Sequence, residues 1–192
     1  MIQRRSFITL LGGAAAWPLA ARAQQGNRVR RIGVIMPYDE NDPEGKLRYA
    51  AFRQALADLG WTDGRNLRMD LRWAGDEINR IRALAQELVG LRPDIILTNG
   101  TPATAALQRE TRTVPIVFAA VADPVASGLV PRLDRPGGNI TGFADFEATL
   151  GGKWLELLSE IAPGLKRAAM MFNPDTAPYR LICPHLRRRP GH

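Results

Sequence analysis

Side chains that carry most enzymatic and metal chemistry are scarce in this sequence of 192 residues. It contains one cysteine and two histidines, and all three lie near the carboxyl terminus, at Cys183, His185 and His192. A lone cysteine cannot form a disulfide within the chain, and no carboxylate stands near Cys183 and His185 to complete a metal site or a catalytic triad. A Gly-Xaa-Ser-Xaa-Gly nucleophile elbow is also missing. These absences predict no catalytic residue, no metal and no cofactor, and therefore a protein that is not an enzyme.

A charge excess is likewise missing once the two ends of the chain are set aside. The formal net charge is +7, but residues 24–179 are neutral overall. The excess belongs to arginines at the two ends, namely Arg4, Arg5, Arg22, Arg180, Arg187, Arg188 and Arg189. A basic surface that would attract nucleic acid or anionic lipid is therefore not expected, and nucleic acid is not predicted as a partner.

The amino-terminal segment has the residue order of an export signal. Arg4 and Arg5 precede a small and apolar run over 9–21, which is followed by a small-residue exit that ends at Ala23. This order predicts a twin-arginine-type signal peptide over 1–23, which contacts the export machinery and is cleaved after Ala23, giving a periplasmic protein. An uncleaved membrane anchor is the alternative. It is disfavoured because the run is about 15 residues long, whereas spanning a bilayer takes roughly 20.

Between the ends, short apolar runs alternate with longer stretches that have helical periodicity. The predicted strands are 32–36, 67–73, 94–99, 114–119, 140–142 and 167–172, and the predicted helices are 45–59, 76–91, 102–110, 123–133 and 150–161. This alternation predicts an α/β fold with a doubly wound parallel sheet and right-handed crossovers. The buried face of the first helix is predicted to consist of Leu47, Ala50, Ala51, Ala55, Leu56 and Leu59.

Candidate ligand-binding residues follow the predicted strands, because ligands of open parallel sheets bind outside the carboxyl ends of the strands. After the third strand, Asn99 leads into a helix that begins near Thr101 and Pro102. Thr101 either caps this helix or donates its hydroxyl to a ligand carboxylate or phosphate, with Thr104 adding a second hydroxyl. After the fourth strand, Asp123 either accepts a hydrogen bond from a ligand ammonium or caps the next helix.

The loop after the first strand contains an aromatic ring and several acids. Tyr38 is followed by Asp39, Glu40 and Asp42. Acidic residues in loops are mostly solvated, so Tyr38 is the candidate for ligand contact here. Acid–base chemistry by paired carboxylates stays open at this point, although no histidine accompanies them.

Several motifs together resemble one known family over about residues 29–178. They are Arg31–Met36, the Leu-Gly-Trp-Xaa-Xaa-Gly-Arg-Asn turn at 59–66, Arg92-Pro-Asp to Thr104, Val114-Pro-Ile-Val-Phe, Asp123-Pro-Val, Arg135-Pro-Gly-Gly-Asn-Ile-Thr-Gly and Asn173-Pro. In this order they look like the ABC transporter substrate-binding family that includes tryptophan- and tyrosine-binding lipoproteins.

This resemblance implies a type I periplasmic binding fold, in which two lobes close over a small solute, such as an amino acid, and then dock on a membrane permease driven by an ATPase. By position, the ligand-facing loops correspond to 37–38, 99–104 and 122–124, with Phe143 near the first crossing. A ligand-sensing domain for a signalling partner is the alternative function.

The resemblance also divides the chain. It implies a nearly complete amino-terminal lobe over 24–147 and a second lobe that is only begun over 148–179, followed by an aberrant tail over 180–192. A truncated chain of this kind is expected to expose the apolar residues 170–172 as an unpaired edge, and to be unstable or nonfunctional.

Overall fold

A computed structural model describes residues 28–146, 150–169 and 171. Within them, five strands form one sheet in the order β2-β1-β3-β4-β5, and every neighbouring pair is parallel. The strands are β1 (Arg30–Met36), β2 (Leu67–Trp73), β3 (Ile95–Asn99), β4 (Ile116–Ala122) and β5 (Ile140–Phe146). The helices are α1 (Pro43–Asp58), α2 (Ile78–Gly90), α3 (Thr101–Glu110) and α4 (Leu150–Ile161). The doubly wound parallel sheet that the alternation predicted is confirmed.

Hydrophobic residues cover both faces of the sheet, which is why the strands read as apolar runs. On one face, Phe118 and Ile96 pack with Leu88 of α2 and Leu107 of α3. The opposite face has its own cluster, built from β1 residues and from α1. Because α1 lies on one face and α2 with α3 on the other, the connections reverse direction between β1 and β3. None of the helices in the described ranges is long and apolar enough to cross a membrane.

The buried face of α1 differs from the predicted one. The residues that pack against the sheet are Tyr49, Phe52 and Leu56, while Leu47 is 70% exposed. The predicted alanines and Leu59 are exposed as well. Tyr49 meets the β2 residue Trp73 edge-to-face, with ring centroids 6.1 Å apart. Aromatic rings bury more apolar area than alanines do, so the helix turns its aromatic side toward the sheet.

Two other predicted elements are corrected by the structure. The segment predicted as a short helix at 123–133 is a turn over 124–128, which ends at Gly128 with a left-handed φ of 71°. The strand predicted at 167–172 is not formed at 167–169, since no described strand lies beside this segment to pair with it. Met171 is 99% exposed, whereas residues 170 and 172, the signal segment 1–23 and the tail 180–192 lie outside the described residues.

A charged network ties the start of β1 to the middle of β2 and to the residue that precedes β3. The Arg31 guanidinium donates to Asp70 on β2 and to the Leu91 carbonyl oxygen after α2, while the backbone N–H of Arg31 donates to Asp94 at 2.9 Å. The hydrogen bonds from Arg31 hold the pKa of the Asp70 carboxyl below its ordinary value, against the opposing effect of partial burial. The network therefore favours the ionised form of Asp70 in the folded chain.

Asp70→Asn is expected to destabilise the fold by an amount that depends on pH. Because the folded-state pKa of Asp70 is lowered, its stabilising effect is present above the unfolded pKa of about 3.9 and is lost as the pH falls through the lower folded value. The difference in unfolding free energy between wild type and variant should therefore be full at pH 6 and shrink below about pH 4. Urea unfolding across this range measures it, and Asp58→Asn, at an exposed aspartate that has no ion pair among the described residues, is the matched control. A difference that stays constant down to pH 2 would contradict the assignment.

Candidate functional site

A cavity of about 320 Å³ opens at the carboxyl ends of the strands, where the connections reverse direction. Such a reversal leaves a crevice between loops that run to opposite faces, which is the usual ligand site of doubly wound sheets. The lining residues come from the ends of β1, β3, β4 and β5 and from the start of α2, and they are Pro37, Tyr38, Asp76, Ile81, Gly100, Thr101, Pro102, Ala120, Ala122 and Asp145.

The start of α3 forms the floor of this cavity, and its cap differs from the predicted one. Gly100, with φ 81° and ψ 157°, occupies the N-cap position, so Thr101 is the first helical residue instead of the cap. No side chain forms a cap hydrogen bond at this helix start. Pro102 has no N–H, and the Thr104 N–H donates to the Gly100 carbonyl oxygen. The backbone N–H groups of Thr101 and Ala103 thus lack a side-chain acceptor, and a ligand anion at this helix start would meet donors of this kind and the Thr101 hydroxyl.

Two predicted residues next to this floor do not line the cavity. Thr104 is fully buried, and its hydroxyl donates to the Gly100 carbonyl oxygen at 2.8 Å. In this position it stabilises the first turn of α3 and has no exposed surface in this structure. Asn99 is partly buried at the end of β3, where it lies opposite Ala119 of β4.

Asp123 has the capping geometry that was one of its two predicted roles. Its Oδ1 accepts a hydrogen bond from the backbone N–H of Ala126 at 3.0 Å, inside the turn that replaces the predicted helix. Asp123 itself has a left-handed φ of 38°, an uncommon conformation for a residue other than glycine. The neighbouring Ala122 lines the cavity, whereas Asp123 does not.

The β5 side of the cavity contains a residue that sequence reasoning missed. Phe143 is 75% exposed and lies outside the lining, while Asp145, two residues later, is part of it. The predicted strand ended at Gly142, so Asp145 was not placed at a strand end. Asp76 was missed because it was assigned to the start of a helix, which in fact begins at Ile78 with Glu77 as its N-cap.

Tyr38 lines the cavity as predicted and is held from behind by α1. A Cβ added to Gly45 would lie 2.7 Å from the Tyr38 Cβ, so only glycine permits this close approach. The Arg48 guanidinium stands 5.9 Å from the centroid of the Tyr38 ring and donates to Glu44 at 2.8 Å. The hydrogen bond to Glu44 raises the pKa of Arg48 above its ordinary value. Partial burial opposes this rise, while the nearby Tyr38, Glu44 and Asp145 add to it.

A larger cavity of about 500 Å³ lies at the opposite end of the sheet, between the end of α3 and the glycines that precede β5. Arg112 is its charged lining residue. The amino-terminal edge of a doubly wound sheet lacks the helix starts that bind anions, so we assign the ligand site to the smaller cavity. Within the described ranges, no three side chains of histidine, cysteine, aspartate or glutamate are grouped as metal ligands.

Comparison with known proteins identifies a family to which this chain is similar. Residues 32–182 match the family model of the ABC transporter substrate binding protein. A curated tyrosine-binding protein from Clostridioides difficile (strain R20291) is 34% identical over 122 residues, which cover 64% of this chain and 35% of that protein.

Two solved structures are also similar to this chain. A conserved domain protein from Vibrio cholerae is 32% identical with a TM-score of 0.65, over 72% of this chain and 46% of that one. The ABC domain in complex with L-Trp from Streptococcus pneumonia is 28% identical with a TM-score of 0.59, over 68% and 42%. This chain thus spans less than half of the length of these relatives. Since the family model matches most of the chain, the protein belongs to the family of ABC transporter substrate-binding proteins.

Proposed function

We propose that this chain captures a small solute, an amino acid, at the carboxyl ends of its strands for delivery to the membrane permease of an ABC transporter. The observation that carries the proposal is the helix start at the floor of the cavity, where Gly100 takes the cap position and no side chain accepts from the first-turn N–H groups. Donors of this kind, together with the Thr101 hydroxyl, suit the carboxylate that every amino acid carries.

The solute that fits best is an amino acid with an aromatic side chain. Its ring would lie among the apolar and aromatic lining residues, namely Pro37, Tyr38 and Ile81. Aromatic pairs of this type add attraction beyond the area that they bury. Two relatives support the same class, since one is named as a tyrosine-binding protein and another was solved with L-Trp.

The division into lobes is part of the same proposal. Residues 24–147 would form the amino-terminal lobe and residues 148–179 the beginning of the second one. Residues 180–192 would be an aberrant tail. In this division α4 belongs to the second lobe, which accounts for its exposed apolar residues: Leu157 is 53% exposed and Ile161 is 80% exposed. A second lobe would cover these residues and the open side of the cavity.

Export of the chain completes the proposal. The twin-arginine pattern of residues 1–23 would carry the protein across the inner membrane, and cleavage after Ala23 would release it into the periplasm. Capture and delivery of a solute need no chemical step, so we assign no catalytic role to the cavity.

The test of the proposal is direct binding by the chain, measured by ligand-observed NMR with L-tryptophan and L-tyrosine. Saturable binding is expected, and Thr101→Val should weaken it by about 10- to 100-fold because a hydrogen bond to a charged group is lost. Thr113→Val is the matched control, since Thr113 is exposed in the turn between α3 and β4, outside the cavity lining, and should leave the affinity unchanged. Absence of saturable binding to both amino acids would overturn the proposed function.

A further inference from the structure

The pairing of β4 with β5 is irregular beside the cavity. From the pair Phe118–Gly142 to the pair Val121–Ala144, β4 advances three residues while β5 advances two. The extra residue on β4 falls within a stretch where Ala120 has a left-handed φ of 49°. Such bulges bend a strand and redirect the side chains that follow.

A second irregularity follows at once and places its extra residue on β5. From Val121–Ala144 to Ala122–Phe146, β4 advances one residue and β5 advances two, so Asp145 has no partner in the register. An unpaired bulge residue is freed from the regular geometry of the ladder. Asp145 lines the cavity, whereas Phe143, which falls within the first irregularity, does not.

The carboxylate of Asp145 is available for a ligand. Among the described residues it forms no ion pair, although Arg48, which donates to Glu44 at 2.8 Å, lies near enough to interact with it electrostatically. Asp145 and Asp76 are the two charged residues of the lining. Asp76 lies in the loop beside the cap of α2, while Asp145 extends from the sheet itself, on the β5 wall beyond β4.

The cavity therefore has donors at its floor and a carboxylate on its β5 wall. The start of α3 and the Thr101 hydroxyl offer hydrogen-bond donors, and Asp145 offers acceptors. A zwitterion matches this arrangement, with its carboxylate at the helix start and its ammonium at Asp145. Asp145 is exposed in this structure, so a ring-bearing acid without an amine would bind without the charge-assisted hydrogen bond that an ammonium forms with this carboxylate, and its affinity would be lower.

We propose that Asp145 determines the specificity of the site, by selecting solutes that carry a protonated amine next to the carboxylate. This inference rests on the proposed function and adds the residue that distinguishes an amino acid from the corresponding amine-free acid. Sequence reasoning considered Asp123 for this task, but in the structure Asp123 caps a turn and lies outside the lining.

The test compares L-tryptophan with 3-indolepropionic acid, which keeps the ring and the carboxylate and lacks the amine. The same full chain is used as wild type, Asp145→Asn, Asp76→Asn and Asp134→Asn, with binding followed by ligand-observed NMR. Wild type should prefer L-tryptophan by about tenfold or more, and Asp145→Asn should reduce this preference to within about twofold. Asp134→Asn, at an exposed aspartate outside the lining, is the matched control and should keep the wild-type preference, while Asp76→Asn tests the other acid of the lining.

The outcomes separate the two proposals. If wild type binds L-tryptophan but Asp145→Asn keeps the preference, or Asp76→Asn loses it instead, the assignment of Asp145 is wrong while solute capture stands. If wild type binds neither compound and no L-tyrosine, the proposed function itself is overturned. Thermal unfolding midpoints of the variants check that they remain folded, and Asp145→Glu, which keeps the charge, should retain a preference for the amine even if the asparagine variant does not fold.

Discussion

Phe118→Ala is expected to lower the free energy of unfolding by about 3–5 kcal/mol. Phe118 is 1% exposed and lies on β4, between Thr98 of β3 and Gly142 of β5 in the sheet register. Its ring packs in the cluster that joins the sheet to α2 and α3. Removing the ring deletes apolar contacts and leaves a void that the surrounding strands cannot close completely.

Urea unfolding followed by far-UV circular dichroism measures this loss. Phe143→Ala is the matched control, because it removes the same side chain from a position on the neighbouring strand that is 75% exposed. The control should change the unfolding free energy by no more than about 0.5 kcal/mol. Equal losses in the two variants would mean that the described core does not hold the fold together.

Gly142→Ala is expected to destabilise the chain by about 3 kcal/mol, at the upper end of the usual range for overpacking. A Cβ at this position would overlap the Phe118 carbonyl oxygen and would lie 2.6 Å from Cγ of the Phe118 ring. The ring could shift, but the carbonyl oxygen belongs to the backbone of β4 and cannot. β5 would have to move away from β4, and Asp145 would move with it.

Gly142 lies on a strand in close contact with its neighbour, and a glycine in an open helical position provides the contrast for this prediction. Gly90 lies at the end of α2, and a Cβ added there meets no atom within 4 Å. Gly90→Ala should therefore stabilise the chain by about 0.5–1 kcal/mol, since alanine loses less backbone entropy in a helix than glycine does. Both variants are measured by urea unfolding. A neutral effect of Gly142→Ala would show that the two strands are less closely packed than described.

Combining the two core substitutions separates the ring from the backbone. In the Phe118→Ala background the ring overlap with residue 142 is gone, while the overlap with the carbonyl oxygen remains. Gly142→Ala should thus still destabilise this background, although by less than it destabilises wild type. A double-mutant cycle gives the coupling between the two positions.

The order of strands and helices could be predicted from the sequence because the signals are local. Apolar runs of strand length and stripes with helical spacing alternate along the chain, and this alternation defines a doubly wound sheet regardless of detailed packing. The same topology brings the loops after β1 and β3 to one edge, where Tyr38 and Thr101 both line the cavity. The family motifs added the kind of protein, and the match over 32–182 bears them out.

Features that depend on contacts between elements could not be predicted in this way. Leu56 packs against the sheet as predicted, but two stripes of α1 have helical spacing, and only the sheet beneath them selects Tyr49 and Phe52 over the predicted alanines. Whether a threonine near a helix start faces solvent or the interior depends on how the helix packs against the sheet. Thr104 faces the interior, and its hydroxyl donates a hydrogen bond to the Gly100 carbonyl oxygen.

By itself, the sequence determined the fold class, the family and the edge of the sheet at which a ligand is expected, because local periodicity and ordered motifs are written along the chain. The tertiary structure decided which acid lines the cavity. Sequence pointed to Asp123, but two opposed irregularities between β4 and β5 bring Asp145 into the lining while Asp123 caps a turn. A bulge is a mismatch between two strands, so its position depends on how they pair and is not encoded in the pattern of either strand alone.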